Sequence, residues 1–241
     1  KKMHVEGKKF KPIFGVEAYF IPSIVEWQKE YEAVKADKKR KKEIQKQTGM
    51  VIEEEGVSKT KSKTILNRRR HLILLAQNQK GLNNIFSVIS KSYSETNFYR
   101  YPRVDYDLLD KHSEGVIAAS ACLGGVYAGN FWDNCTFGED RTIESINEEA
   151  VLKDMRETSK KMMDIFGDRW YGELQWHSSP EQHKLNKYII RMSEEFGIKL
   201  ISTADSHYPD PEAWKDRELY KRLGWLGKGA PSWLSAELPI D

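Results

Sequence analysis

Ile198-Lys199-Leu200-Ile201-Ser202-Thr203-Ala204 runs without a break into Asp205-Ser206-His207-Tyr208. The apolar, β-branched run predicts a strand, and the polar residues behind it predict a turn at that strand's end. Just upstream, Leu185, Ile189, Met192 and Phe196 recur at helical spacing, and Gly197 is placed to cap the helix they predict. A helix followed by a strand that ends in a carboxylate and an imidazole is the signature of an α/β fold. In such folds functional groups gather at the carboxyl ends of strands.

The same alternation extends towards the N-terminus. Trp170–Gln175, Gly115–Ser120, His71–Ala76 and Pro12–Phe20 read as four further strands, and the third of these is followed by Leu82, Ile85, Phe86, Ile89 and Tyr93 on one helical face ending near Glu95. Ile143, Ile146, Ala150, Val151, Met155, Met162, Ile165 and Phe166 read as one long amphipathic helix. Strands separated by helices predict a parallel sheet or an α/β barrel, since parallel strands need crossover connections. A strand that begins only about ten residues in reads as the start of an internal piece of a longer protein.

Residues 27–70 break the pattern. Between 35 and 70 there are thirteen Lys or Arg against five Asp or Glu, a local excess of eight in a chain whose net charge is +3. The segment reads as a lysine-rich helix from Glu26 to Gln47, a polar stretch with Gly49 and Gly56, and Arg68-Arg69-Arg70. It is an insertion, and either a solvated excursion or a surface for nucleic-acid phosphates through Lys38, Lys39, Arg40, Lys41, Lys42, Arg68, Arg69 and Arg70.

A hydrophobic fraction of 39%, seven Trp and eleven Tyr exclude wholesale disorder. No apolar run approaches the roughly 18 residues of a membrane span, and Lys1-Lys2-Met3-His4 opens no signal segment, so a cytoplasmic protein without a membrane partner is expected. Two cysteines without CxxC spacing exclude a disulfide framework and a cysteine-rich zinc module. P-loop, Gly-x-Ser-x-Gly and Gly-x-Gly-x-x-Gly signatures are absent from the sequence.

Asp205 and His207, two residues apart in extended backbone, can face one pocket, and their oxygen and nitrogen suit zinc, manganese or iron. The alternative is a surface turn. Cys122 follows the 115–120 strand in a small-residue turn and is either a ligand at the same edge or a buried thiol. Glu17 lies in an apolar strand, where a carboxylate needs a partner, an ion or water. His71 begins its strand, and by the strand-end rule it is the least well placed of the set. Glu173 and His177 could hydrogen-bond around metal ligands.

In order, Lys11–Tyr19, His71–Ala76, Gly81–Asn84, Tyr101–Asp105, Ser113–Ala118, Ala121–Gly125, Glu173–Gln175, Pro180–Gln182 and Asp205–Tyr208 resemble the polymerase-and-histidinol-phosphatase (PHP) domain of bacterial C-family replicative polymerases. The resemblance implies a distorted β/α barrel over residues 1–208, incomplete at its N-terminus, whose mouth holds a zinc or manganese cluster on Glu17, His71, Cys122, Asp205 and His207. It overrides the doubt about His71. It also implies that a His-x-His pair and further ligands lie upstream of this chain. Residues 209–241 would lead towards a polymerase palm, with its magnesium site, that this chain does not contain. The implied partners are DNA, the remaining palm, thumb and fingers, and other replisome subunits. The insertion and tail suggest a phage-encoded member. A metal-dependent 3′–5′ phosphodiesterase, a free-standing phosphoesterase for small monoesters, and a non-catalytic scaffold are the functions to be separated.

Overall fold

The computed structural model describes residues 4–5, 8–9, 11–48, 68–138 and 142–225. The insertion's polar stretch and the last part of the tail, including Gly49, Gly56 and Trp233, lie outside the described residues. Two compact units are distinguished, 1–203 and 204–241.

In the first unit a short hairpin, β1 (His4–Val5) and β2 (Lys8–Lys9), precedes β3 (Gly15–Phe20), helix α1 (Ile24–Thr48) and β4 (Arg70–Ala76). Then come α2 (Gln79–Ser92), the hairpin β5 (Phe98–Tyr99) and β6 (Tyr101–Pro102), α3 (Tyr106–Asp110), β7 (Val116–Ala119) and α4 (Val126–Trp132). A third hairpin, β8 (Cys135–Phe137) and β9 (Ile143–Ile146), leads to α5 (Glu148–Phe166), β10 (Trp170–Gln175), α6 (Pro180–Phe196) and β11 (Lys199–Thr203).

The central sheet has the order β11-β10-β7-β4-β3. It is mixed rather than parallel: β10 pairs in parallel with β7 and β11, while β4 is antiparallel to both β3 and β7. The expected alternation of strand and helix is present, but α1 returns the chain so that β4 runs against its neighbours. Among the described residues these five strands form an open series and do not close into a barrel.

Register assigns the two faces. Ala18, Phe20, Leu72, Leu74, Val116, Ala118, Trp170 and Leu174 occupy one face and are buried in a single core with Ile85, Val126, Phe131, Val151, Met155, Met162 and Ile189 from the helices. Glu17, Tyr19, His71, Glu173 and Gln175 take the alternate positions and so belong to the other face. The burial of the first set drives the sheet onto the helices; the second set is left for chemistry.

Local signals explain the boundaries. Gly197 ends α6 in the left-handed conformation, with φ of 67°, as its position predicts. The helix expected from Ile143 begins only at Glu148, because Asn147 caps it by accepting from the Ala150 amide while Ile143 and Ile146 pair with Phe137 and Cys135 in a hairpin. Helix α2 stops at Ser92, three residues before the predicted end.

The insertion is anchored at its root. Ile21, Ile24 and Trp27 form a second buried cluster, with Tyr31 and Tyr99 packed against it. Arg103, fully buried, stacks over the Trp27 ring and donates from Nε to the Arg68 carbonyl at 3.2 Å and from one terminal nitrogen to the Tyr99 and Tyr101 carbonyls, both at 2.9 Å. It thereby ties the outgoing helix to the returning strand. Burial, with the Arg69 charge adding to it, pulls its pKa down to about 10, so it remains a cation at neutral pH. Asp105 caps two helices at once, accepting from the Ile24 amide at the start of α1 and the Leu108 amide of α3, each at 3.0 Å.

In the second unit, Asp205 (φ of 49°) and His207 precede a 3₁₀ turn (Pro211–Ala213) and α7 (Trp214–Trp225), which exposes Leu219, Tyr220 and Leu223.

Candidate functional site

The antiparallel course of β4 answers the objection to His71. Because β4 runs opposite to β3, β7, β10 and β11, its first residues lie at the edge where those strands end. His71 pairs with Tyr19 near the end of β3, and its backbone amide bonds the Gly124 carbonyl in the turn after β7 at 2.8 Å.

That turn is tightly built. Ala121 has a φ of 60°, a conformation few non-glycine residues adopt, and the chain then folds back so that Cys122 faces His71. A Cβ on Gly125 would lie 2.0 Å from the Ser120 carbonyl oxygen, so only glycine closes the turn. A Cβ on Gly124 would meet the imidazole at 3.2 Å; its absence seats the ring.

Glu17 Oε1 lies 2.8 Å from His71 Nδ1, and Cys122 Sγ lies 3.4 Å from the same nitrogen. The Gly124 amide also donates to Cys122 Sγ at 3.4 Å. A carboxylate oxygen only accepts, so the consistent assignment is an Nδ1–H that donates to Glu17 Oε1, with Cys122 Sγ as a second, more distant acceptor. Three electron-pair donors thus surround a single proton. The imidazole and the carboxylate are partly open to solvent, at 30% and 45% side-chain exposure.

The other expected ligands divide. Asp205 and His207 belong to the second unit, where the Asp205 carbonyl lies 2.7 Å from His207 Nδ1 and its carboxylate 4.0 Å away. Within the first unit, Glu17, His71 and Cys122 do come together. Oxygen, nitrogen and sulfur are the donor types that zinc takes. Nevertheless, no group of three or more His, Cys, Asp or Glu among the described residues is arranged to hold an ion by itself. The donor chemistry fits a divalent metal; the number of donors is short.

Glu173 and His177 are joined through Gln175, which the sequence reading left without a role. Glu173, though a carboxylate, is 6% exposed; its Oε1 accepts from Gln175 Nε2 at 3.2 Å and from the Thr203 hydroxyl. Gln175 Oε1 lies 3.2 Å from His177 Nε2. Only the Glu-x-Gln-x-His spacing on one strand face could have signalled this line.

The basic residues are largely engaged within the chain. Arg40 and Lys41 both pair with Asp37, and Lys39 stands 4.0 Å from Glu43. Arg68 pairs with Glu30, Arg70 with Asp133, and Arg69 lies over the Tyr101 and Tyr19 rings. Arg68, Arg69 and Arg70 thus each have a partner at the root of the insertion. Lys38 and Lys42 stay exposed on α1.

No helix among the described residues is long and apolar enough to cross a membrane. The PHP domain family matches residues 2–177. The chain is 36% identical over 213 residues to the DNA polymerase III subunit alpha of Aquifex aeolicus, covering 88% of this chain and 14% of that protein. It is 32% identical over 225 residues to that of Borreliella burgdorferi, covering 92% and 15%, and 28% identical over 202 residues to that of Deinococcus radiodurans, covering 84% and 12%. The chain therefore spans only about one seventh of the length of these relatives. With its ordered strand-edge residues and a match over most of its length, the chain belongs to the PHP domain family.

Proposed function

We propose that this chain is the PHP domain of a DNA-directed DNA polymerase acting in replication, and that its strand edge forms part of a divalent-metal site for phosphodiester hydrolysis at a 3′ end. The observation that carries the reading is the convergence of Glu17 and Cys122 on His71 Nδ1. A proton there occupies the place of a cation, and these donors would hold zinc or manganese once it leaves. A bound ion would supply Lewis acidity towards the phosphate. Glu17 would contribute charge, while His71 and Cys122 orient each other through the turn at Gly124 and Gly125.

Asp205 and His207 are proposed as further ligands, with the rest supplied by the parent chain. The five-stranded sheet is read as part of a distorted β/α barrel, and α1 as a surface for DNA phosphates. Polymerisation itself, with its magnesium ions, is assigned to a palm outside this chain, and thumb, fingers and replisome subunits are its expected neighbours. The short donor set favours one other reading, a supporting domain without hydrolytic activity.

Elemental analysis of the full-length parent protein separates the two. Stoichiometric zinc or manganese that is lost in a His71→Asn, Cys122→Ser variant is expected, together with loss of metal-dependent 3′-end hydrolysis. Metal content and hydrolysis unchanged by both substitutions would remove the strand edge from the chemistry.

A further inference from the structure

The line Glu173–Gln175–His177 is not needed to build the cluster on His71, yet its polarity is fixed over three residues. The Gln175 side chain has one donating end and one accepting end. Its Nε2 faces Glu173 Oε1, which also receives the Thr203 hydroxyl, and Gln175 is 1% exposed. A reversed amide would set two oxygens against each other in a buried space. Gln175 Oε1 therefore faces His177, and the ring nitrogen it meets, Nε2, must carry the hydrogen.

The surroundings prevent the line from shifting. The Glu173 amide donates to Ser120 Oγ at 2.9 Å, and Asn186 Nδ2 donates to the Gln175 carbonyl at 2.8 Å. That bond turns Asn186 Oδ1 towards Gln182 Nε2, 2.8 Å away. The acceptor left over is Gln182 Oε1, buried with no donor among the described residues. Turning the Gln182 amide to relieve it would oppose two oxygens at Asn186, so the orphan is the consequence of the polarity that the Gln175 backbone carbonyl imposes on Asn186.

His177 is half-buried, and as the Nε2–H tautomer it carries its lone pair on Nδ1. It follows β10 as Cys122 follows β7, and the two strands are parallel neighbours, so both residues emerge at one edge of the sheet. An imidazole whose other nitrogen is fixed by a hydrogen bond is the usual form of a metal-binding histidine.

We propose that Gln175, held by Glu173, is a positioning residue that keeps His177 in the Nε2–H tautomer, so that His177 Nδ1 is an additional donor to the divalent ion of this site. The donor role rests on the metal-site reading above; the tautomer does not.

Imidazole ¹⁵N–¹H spectra of the full-length parent protein, ¹⁵N-labelled at histidine and with His177 assigned from a His177→Gln variant, test both parts. Without metal, His177 should show an unprotonated Nδ1 and an Hε2 signal protected from solvent exchange. Gln175→Leu should abolish that protection, and Gln175→Glu should not restore the wild-type pattern. On titration with Zn²⁺ alone, the His177 Nδ1 resonance should shift together with His71, and Gln175→Leu should weaken the His177 response about 10- to 100-fold. Nδ1–H in the metal-free chain, or protection unchanged in Gln175→Leu, would overturn the positioning role. Zn²⁺ that shifts His71 but not His177 would overturn the donor role and leave the metal site standing. Zn²⁺ that shifts neither would overturn the metal-site reading and the donor role together.

Discussion

The guanidinium carbon of Arg103 lies 4.2 Å from the centre of the Trp27 ring, with both residues buried. This contact is one of those by which the basic insertion meets the rest of its unit, beside Arg70 on Asp133 and Arg69 over the Tyr19 and Tyr101 rings. Replacing Trp27 with Ala should cost about 3 kcal/mol, at the lower end of large aromatic truncations because the cluster around it is small. Arg103→Ala should cost roughly 3 kcal/mol, since three carbonyls lose a charged donor. The double variant should lose less than the sum, as each single change already breaks the stack. Urea unfolding of the four proteins measures this, and strict additivity would show that ring and guanidinium do not support each other.

Asp105 divides its carboxylate between two helix starts, so Asp105→Ala should cost about 2 kcal/mol, roughly 1 kcal/mol for each cap. Asn at this position offers one acceptor oxygen and should lose about half as much. Hydrogen exchange should then quicken at the first turn of one helix, α1 or α3, in the Asn variant and at both in the Ala variant. Equal stability of all three proteins would contradict the double cap.

His112 should titrate below an ordinary histidine. Burial is the larger cause, followed by the charges of Lys91, Lys111 and Lys80; Lys91 Nζ lies 2.9 Å from its Nε2. Between the folded and unfolded pKa values the unfolded chain binds more protons, so this group's contribution is complete above the unfolded value, about 6.5, and is lost as pH falls through the folded one. Lys91→Met should raise the His112 pKa without fully restoring it and should weaken the pH dependence of stability in that window. NMR titration of His112 reads the shift, and a pKa that does not move would discount the lysines.

Helix α1 should contact DNA less strongly than its composition suggests, because Asp37 already pairs with Arg40 and Lys41. Replacing Lys39, Arg40, Lys41 and Lys42 with Gln in the parent protein should therefore reduce the slope of log affinity against log salt by only about 1 to 2. The loss should be similar on unrelated sequences. An unchanged slope would leave α1 a solvated excursion.

Periodicity alone located β7, β10 and β11 to within a residue and the end of α6 at Gly197, whereas α6 begins at Pro180, ahead of Leu185, the first residue its apolar spacing marks. It failed at Ile143 and Ile146, where an apolar spacing compatible with a helix was claimed by pairing with Cys135 and Phe137. It could not orient β4, because strand direction depends on where the chain returns from α1. That direction alone brings His71, a residue at the beginning of its strand, to Cys122 at the end of another.

The sequence by itself determined the alternating α/β class, the apolar faces and the residue types available for an ion, because these follow from side-chain chemistry and spacing along the chain. Only the tertiary structure decided that Glu17 and Cys122 converge on His71 Nδ1, that Gln175 stands between Glu173 and His177, and that Arg40, Lys41 and Arg70 already have carboxylate partners. The physical reason is that hydrogen-bond polarity and charge pairing depend on distances between residues far apart in sequence, which no local pattern encodes.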